Sequence, residues 1–158
     1  MKPYRGNAIA VGVLLIACSA ASILSVLPLG SALEDTDHLT ALADLDTEVV
    51  GTALIELVWA ATCAGVAIGL YPVLRTYGRA MALGSVAARV VEGVFVLTGT
   101  LSLLALLSVS QQSPAPGSAA EPALQPVDDA LLAVREWAQG FIAILAFAIG
   151  AFLYYVVL

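Results

Sequence analysis

Four apolar runs, at 8–29, 49–70, 81–109 and 130–155, constrain this chain more than any other feature. Each offers the roughly 20 residues that a helix needs to cross the hydrocarbon core of a bilayer. In that layer an uncovered backbone N–H or C=O costs several kcal/mol, so a spanning segment must pair its own backbone, as a helix does. The sequence therefore predicts an all-α, polytopic membrane protein, a four-transmembrane-helix bundle. Composition closes the soluble alternative: 61% of the residues are hydrophobic and 11% charged, where soluble domains run near half and a quarter. With 158 residues, four spans and their connections use the whole chain as a single membrane domain.

The charges outside the spans predict orientation. Lys2 and Arg5 precede the first run, Arg75 and Arg79 lie in the turn 71–80, and the connections 30–48 and 110–129 contain no lysine or arginine. Lysine and arginine flank cytoplasmic ends, so both termini and the turn 71–80 are expected in the cytoplasm, the two connections outside, and the protein in the plasma membrane. The net charge of −6 comes largely from acids in those outer connections. It argues for solvation and topology, and no basic stretch suits nucleic acid. In the first connection Leu39, Leu42 and Leu45 recur after Thr36 and Asp37, a spacing that predicts a short amphipathic helix on the outer surface. His38 reads as a solvated loop residue. The second connection holds Pro114, Pro116, Pro122 and Pro126 and reads as a flexible loop.

The N-terminus has the basic and apolar regions of a signal peptide, and Leu15-Ile16-Ala17-Cys18 resembles a lipoprotein cleavage box. The run continues for eleven residues past Cys18, long enough to span, so an uncleaved first helix is expected. Cys18, Ser22 and Ser25 share one of its faces, read as close packing by small residues.

Ionisable residues interrupt the other spans. Arg89 and Glu92 lie within 81–109, where a charge near the centre costs roughly 2.5–3.5 kcal/mol on insertion scales. Three residues apart, they share a helix face and can neutralise each other. The same face carries Ser85, Gly93, Val96 and Thr100. In the second span Thr52, Glu56, Ala60, Cys63 and Ala67 form one stripe. The fourth carries Arg135, Glu136, Trp137 and Gln139 near its outer end, with Arg135 placed to reach inward toward Glu56. At about 1.5 Å per residue, Glu92 lies near the midplane, Glu56 and Arg135 on its outer side and Arg89 on its inner side. Two acids facing two bases make a neutral interior set, as a buried network requires.

Leu54-Ile55-Glu56-Leu57, Leu70-Tyr71-Pro72-Val73-Leu74 with its basic turn, Arg89-Val90-Val91-Glu92, and Leu131-Leu132-Ala133-Val134-Arg135-Glu136-Trp137 resemble the bacterial multi-pass membrane family catalogued as domain of unknown function 4386. The resemblance covers nearly the whole chain. It implies an all-helical membrane fold with Glu56, Arg89, Glu92 and Arg135 in the shared pattern, and it implies no activity. Members of that family usually continue through further helices, so a shortened form, or a partner supplying the missing surface, is expected.

Two functional readings fit these residues. The first is a small structural or accessory subunit with a buried charged docking cluster, acting as a homo-oligomer or beside a partner membrane subunit. Its support is the lack of a catalytic motif together with the small-residue pairs Gly65/Gly69 and Ala146/Gly150 and the abrupt end of the sequence at Leu158. The second is a binding or transport protein for a small anionic or lipid-like ligand, its pocket lined by Glu56, Arg89, Glu92, Arg135, Gln139 and Ser22. No enzyme activity, cofactor or metal is expected, because the spans hold no histidine, aspartate pair or nucleophile turn.

Overall fold

The computed structural model describes residues 5–29, 33, 42, 44–112 and 121–157. The regular elements among them are helical: α1 (Arg5–Leu24), α2 (Asp46–Leu74), α3 (Arg79–Gln112), α4 (Glu121–Arg135), a π-helical segment (Glu136–Ala143) and α5 (Ile144–Val157). The last three run on as one rod. The protein is thus a bundle of four rods, each long and apolar enough to cross a membrane.

Prolines and glycines set the ends, in places away from the expected ones. α1 stops at Leu24 rather than near residue 29 because Pro28 has no N–H to return to the Leu24 carbonyl, and turns carry the chain to Leu29. α2 continues through Pro72 to Leu74, since the proline removes one bond without displacing the turn after it. The backbone then closes on itself, Gly78 N–H to Leu74 O at 3.2 Å. α3 extends to Gln112, and the fourth rod starts at Glu121 rather than near residue 130. Both helices thus run into the segment 110–129 that was expected to connect them, and 113–120 lie outside the described residues. Pro122 sits in the first turn of α4, where no backbone N–H needs a helical partner, and Pro126 lies one turn on. The expected amphipathic helix at 36–45 lies outside the described residues except for Leu42, Asp44 and Leu45. Of these, Leu42 is fully buried and Leu45 packs beside it, in an apolar cluster with Leu29, Val49, Leu103 and Leu106.

α3 is the central rod. Half of its apolar window is buried, against 17% for α1 and for the fourth rod. It packs on α2 on one side and along the whole fourth rod on the other, while α1 packs mainly on α2. Lipid is as apolar as leucine, so close approach rather than water exclusion holds such helices together, and the small residues lie where rods touch. A Cβ built on Gly93 would lie 3.0 Å from the Ala60 carbonyl oxygen of α2, and one on Gly69 would lie 2.6 Å from Val11 of α1. Gly84 and Gly150 meet Leu153 and Ala88 at the seam between α3 and α5. The small-residue pairs read from the sequence as possible oligomer faces are therefore filled within the chain.

Candidate functional site, a polar seam between the rods

The stripe on α2 turns wholly inward: Thr52, Glu56, Ala60, Cys63 and Ala67 are all buried. Glu56 faces α3 and the fourth rod, where Arg135 donates from Nη2 to Glu56 Oε1 at 2.6 Å. Arg135 Nη1 donates to the Gly99 carbonyl at 2.9 Å and to Glu56 Oε2 at 3.4 Å. The Thr100 hydroxyl lies 2.8 Å from Glu56 Oε2 and 2.9 Å from the Val96 carbonyl, dividing its one proton between them. Gln139 donates from Nε2 to that same Val96 carbonyl at 3.0 Å. One carboxylate thus ties three rods.

The geometry depends on the π-helical segment. Its wider turn, with bonds from i to i+5, shifts the register after Arg135, and Gln139 reaches α3 only because Gly99 leaves room. A Cβ on Gly99 would lie 2.5 Å from Gln139 Cγ.

Deeper in the bundle, Arg89 donates from Nη1 to Glu92 Oε2 at 2.7 Å, both side chains 4% exposed. The Arg89 Cζ lies 5.1 Å from the centroid of the Phe147 ring, a cation–π arrangement. Two cysteines complete the group. Cys63 donates from its thiol to Glu92 Oε1 at 3.3 Å, and its sulfur is 3.6 Å from that of Cys18 on α1. Arg89 Nη2 is 3.7 Å from the Cys18 sulfur.

Two cavities open between α1 and the fourth rod, with these ion pairs on their walls. The larger, about 540 Å³, is lined by Glu56, Arg135, Glu136, Gln139, Ser25 and otherwise apolar residues such as Leu29 and Leu132. The smaller, about 340 Å³, is lined by Cys18, Ser22, Arg89, Glu92, Leu15 and Phe147. Trp59 and Ile144 border both.

The structure brings Glu56 together with Arg135, and Arg89 with Glu92, and places Gln139 against the first pair. Ser22 stands apart: its hydroxyl donates to the Ser19 carbonyl of its own helix at 2.9 Å, and it contributes only to the cavity wall. Sequence reading missed Trp59, the Gly99 carbonyl and the pairing of the cysteines. Trp59 neighbours the Glu56 stripe, and the stripe itself named Cys63, but nothing local joins Cys63 to Cys18.

Fold and seam define an integral membrane protein of four helical spans with ion pairs buried between them. The family described as "Domain of unknown function (DUF4386)" matches residues 10–158, and the chain belongs to that family. No curated protein and no solved structure matches it.

Proposed function

We propose that this protein binds one lipid-like molecule bearing a carbonyl head group in the cavity between α1 and the fourth rod. The observation that carries the reading is the wall of the larger cavity, where Arg135 and Gln139 stand as donors in an otherwise largely apolar space of about 540 Å³. Sites for small molecules have this character: concave, mostly apolar, with a few convergent polar groups. A guanidinium has five N–H donors, and three contacts to protein groups are made among the described residues. The remaining donors suit an ester or amide oxygen. A free anion fits less well, since Glu56 already balances Arg135 and an added charge at this depth has no counterion. Both termini lie in the cytoplasm in this reading, and the larger cavity opens in the outer half of the plasma membrane.

Native mass spectrometry of the protein extracted in mild detergent tests this. Wild type should retain a lipid adduct, and Arg135→Gln should lose most of it while keeping its helical circular dichroism. Absence of any adduct, or an equal adduct in both proteins, overturns the reading. A second reading, a structural or accessory subunit, draws on a different observation: the Glu56 carboxylate joins α2, α3 and the fourth rod through protein groups alone. It follows if Arg135→Gln unfolds the protein and wild type carries no lipid.

A further inference from the structure

The cysteines beside the smaller cavity have no part in that binding site. Cys18 and Cys63 lie on different rods, are both buried and free, and have sulfurs 3.6 Å apart. A disulfide needs about 2.05 Å, so an approach of roughly 1.5 Å closes the bond. The seam between α1 and α2 is already tight, with Leu14 and Val11 against Gly65 and Gly69, which keeps the two thiols paired. We propose that Cys18 and Cys63 are a redox-active dithiol, closed to a disulfide by a lipid-soluble quinone that enters the smaller cavity.

The surroundings divide the work between the two sulfurs. Cys18 lines the cavity and meets an acceptor first. Arg89 Nη2, 3.7 Å from its sulfur, stabilises negative charge developing there during attack. Cys63, fully buried behind it, is the resolving thiol, and Glu92 Oε1 at 3.3 Å is placed to take its proton. The acceptor class follows from the location. A site within the apolar layer is closed to charged, water-soluble disulfides and open to a lipid-soluble two-electron acceptor. Leu15, Trp59 and Phe147 give such a ring apolar and aromatic walls. Arg89 Nε is a buried donor without a hydrogen-bond partner among the described residues, as a quinone carbonyl oxygen requires.

The chemistry balances. The Cys18 sulfur adds to a ring carbon of the quinone, and the Cys63 sulfur then attacks Cys18, forming the S–S bond and releasing the ring. Two S–H bonds are lost, and their two electrons and two protons convert both quinone carbonyls to hydroxyls. The product staples α1 to α2 and removes the thiol donor from Glu92, so the oxidation state is felt at the Arg89–Glu92 pair.

The test uses the full chain, reduced and reconstituted in phosphatidylcholine vesicles with decylubiquinone, followed by intact mass and quinol absorbance. Wild type should lose two hydrogens and yield one quinol per chain, and neither change should occur in Cys18→Ser or Cys63→Ser. In Cys63→Ser, 2-methyl-1,4-naphthoquinone, whose free ring carbon lets the adduct rearomatise, should leave an adduct on Cys18. An adduct on Cys63 in Cys18→Ser instead overturns the assignment of Cys18 as the attacking thiol. Diamide and hydrogen peroxide serve as comparison oxidants: thiols that stay reduced with the quinone overturn the proposal, whether or not either comparison oxidant closes the bond. The binding site at Arg135 uses another cavity and other polar residues, and shares only the apolar wall at Trp59 and Ile144, so either reading can fail without the other.

Discussion

Arg89 and Glu92 could be paired from the sequence because a spacing of three on one helix leaves them no other face. Arg135 and Glu56 lie 79 residues apart, and their contact depended on an estimate of depth and on neutrality. The Cys18–Cys63 contact had neither kind of local signal: small residues pack anywhere along two helices, and only the relative height of α1 and α2 brings the sulfurs together. Magnitudes separate the roles of these groups. Removing one partner of a buried ion pair costs about 3–5 kcal/mol, while replacing both with apolar residues is often close to neutral. A side-chain hydrogen bond between membrane helices is worth about 0.6 kcal/mol on average. Arg89→Leu and Glu92→Leu should each lower the detergent melting temperature far more than Thr100→Val, and the double Leu variant should recover much of the loss. Additive losses in the double variant would show that the two charges do not interact.

At the scale of the elements, apolar period and length were legible as four spans, and membership of the family was legible in short motifs. Helix ends were less so. Pro28 followed a helix end, whereas Pro72 and Pro126 lie inside helices, a difference that the proline itself does not announce. The π-helical segment had no sequence signal beyond Gly140; its register answers to α3, where Gly99 admits Gln139. Glycines written in similar spacings also separate once contacts are known. A Cβ on Gly93 would press on backbone, at 3.0 Å from the Ala60 oxygen, whereas one on Gly51 meets nothing within 4 Å. Gly93→Ala should therefore lower thermal stability in detergent by pushing α2 and α3 apart. Gly51→Ala should leave it equal or raise it, since alanine gains up to about 1 kcal/mol over glycine in a helix. Equal behaviour of the two variants would mean that the α2–α3 contact is looser than 3.0 Å implies.

Across the whole molecule, packing and charge bear on the same question of orientation. The Asn7 side chain donates to the Gly69 carbonyl at 2.6 Å, which sets the start of α1 beside the end of α2. A Cβ on Gly84 would meet Leu153, which sets the start of α3 beside the end of α5. One end of the bundle therefore gathers Arg5, Arg75 and Arg79, and the other carries Asp46, Glu48, Asp128 and Asp129. Positive flanks stay on the cytoplasmic side, so the arginine end, with both chain termini, is expected there. Single cysteines introduced at Thr76 and Ser118, each in a Cys18→Ser/Cys63→Ser background, read this out in intact cells. A membrane-impermeant maleimide should label the Ser118→Cys protein from outside and reach the Thr76→Cys protein only after permeabilisation. Labelling of Thr76→Cys in intact cells would invert the bundle, placing the cavity beside Arg135 on the cytoplasmic side and reversing the leaflet from which a lipid-like ligand enters.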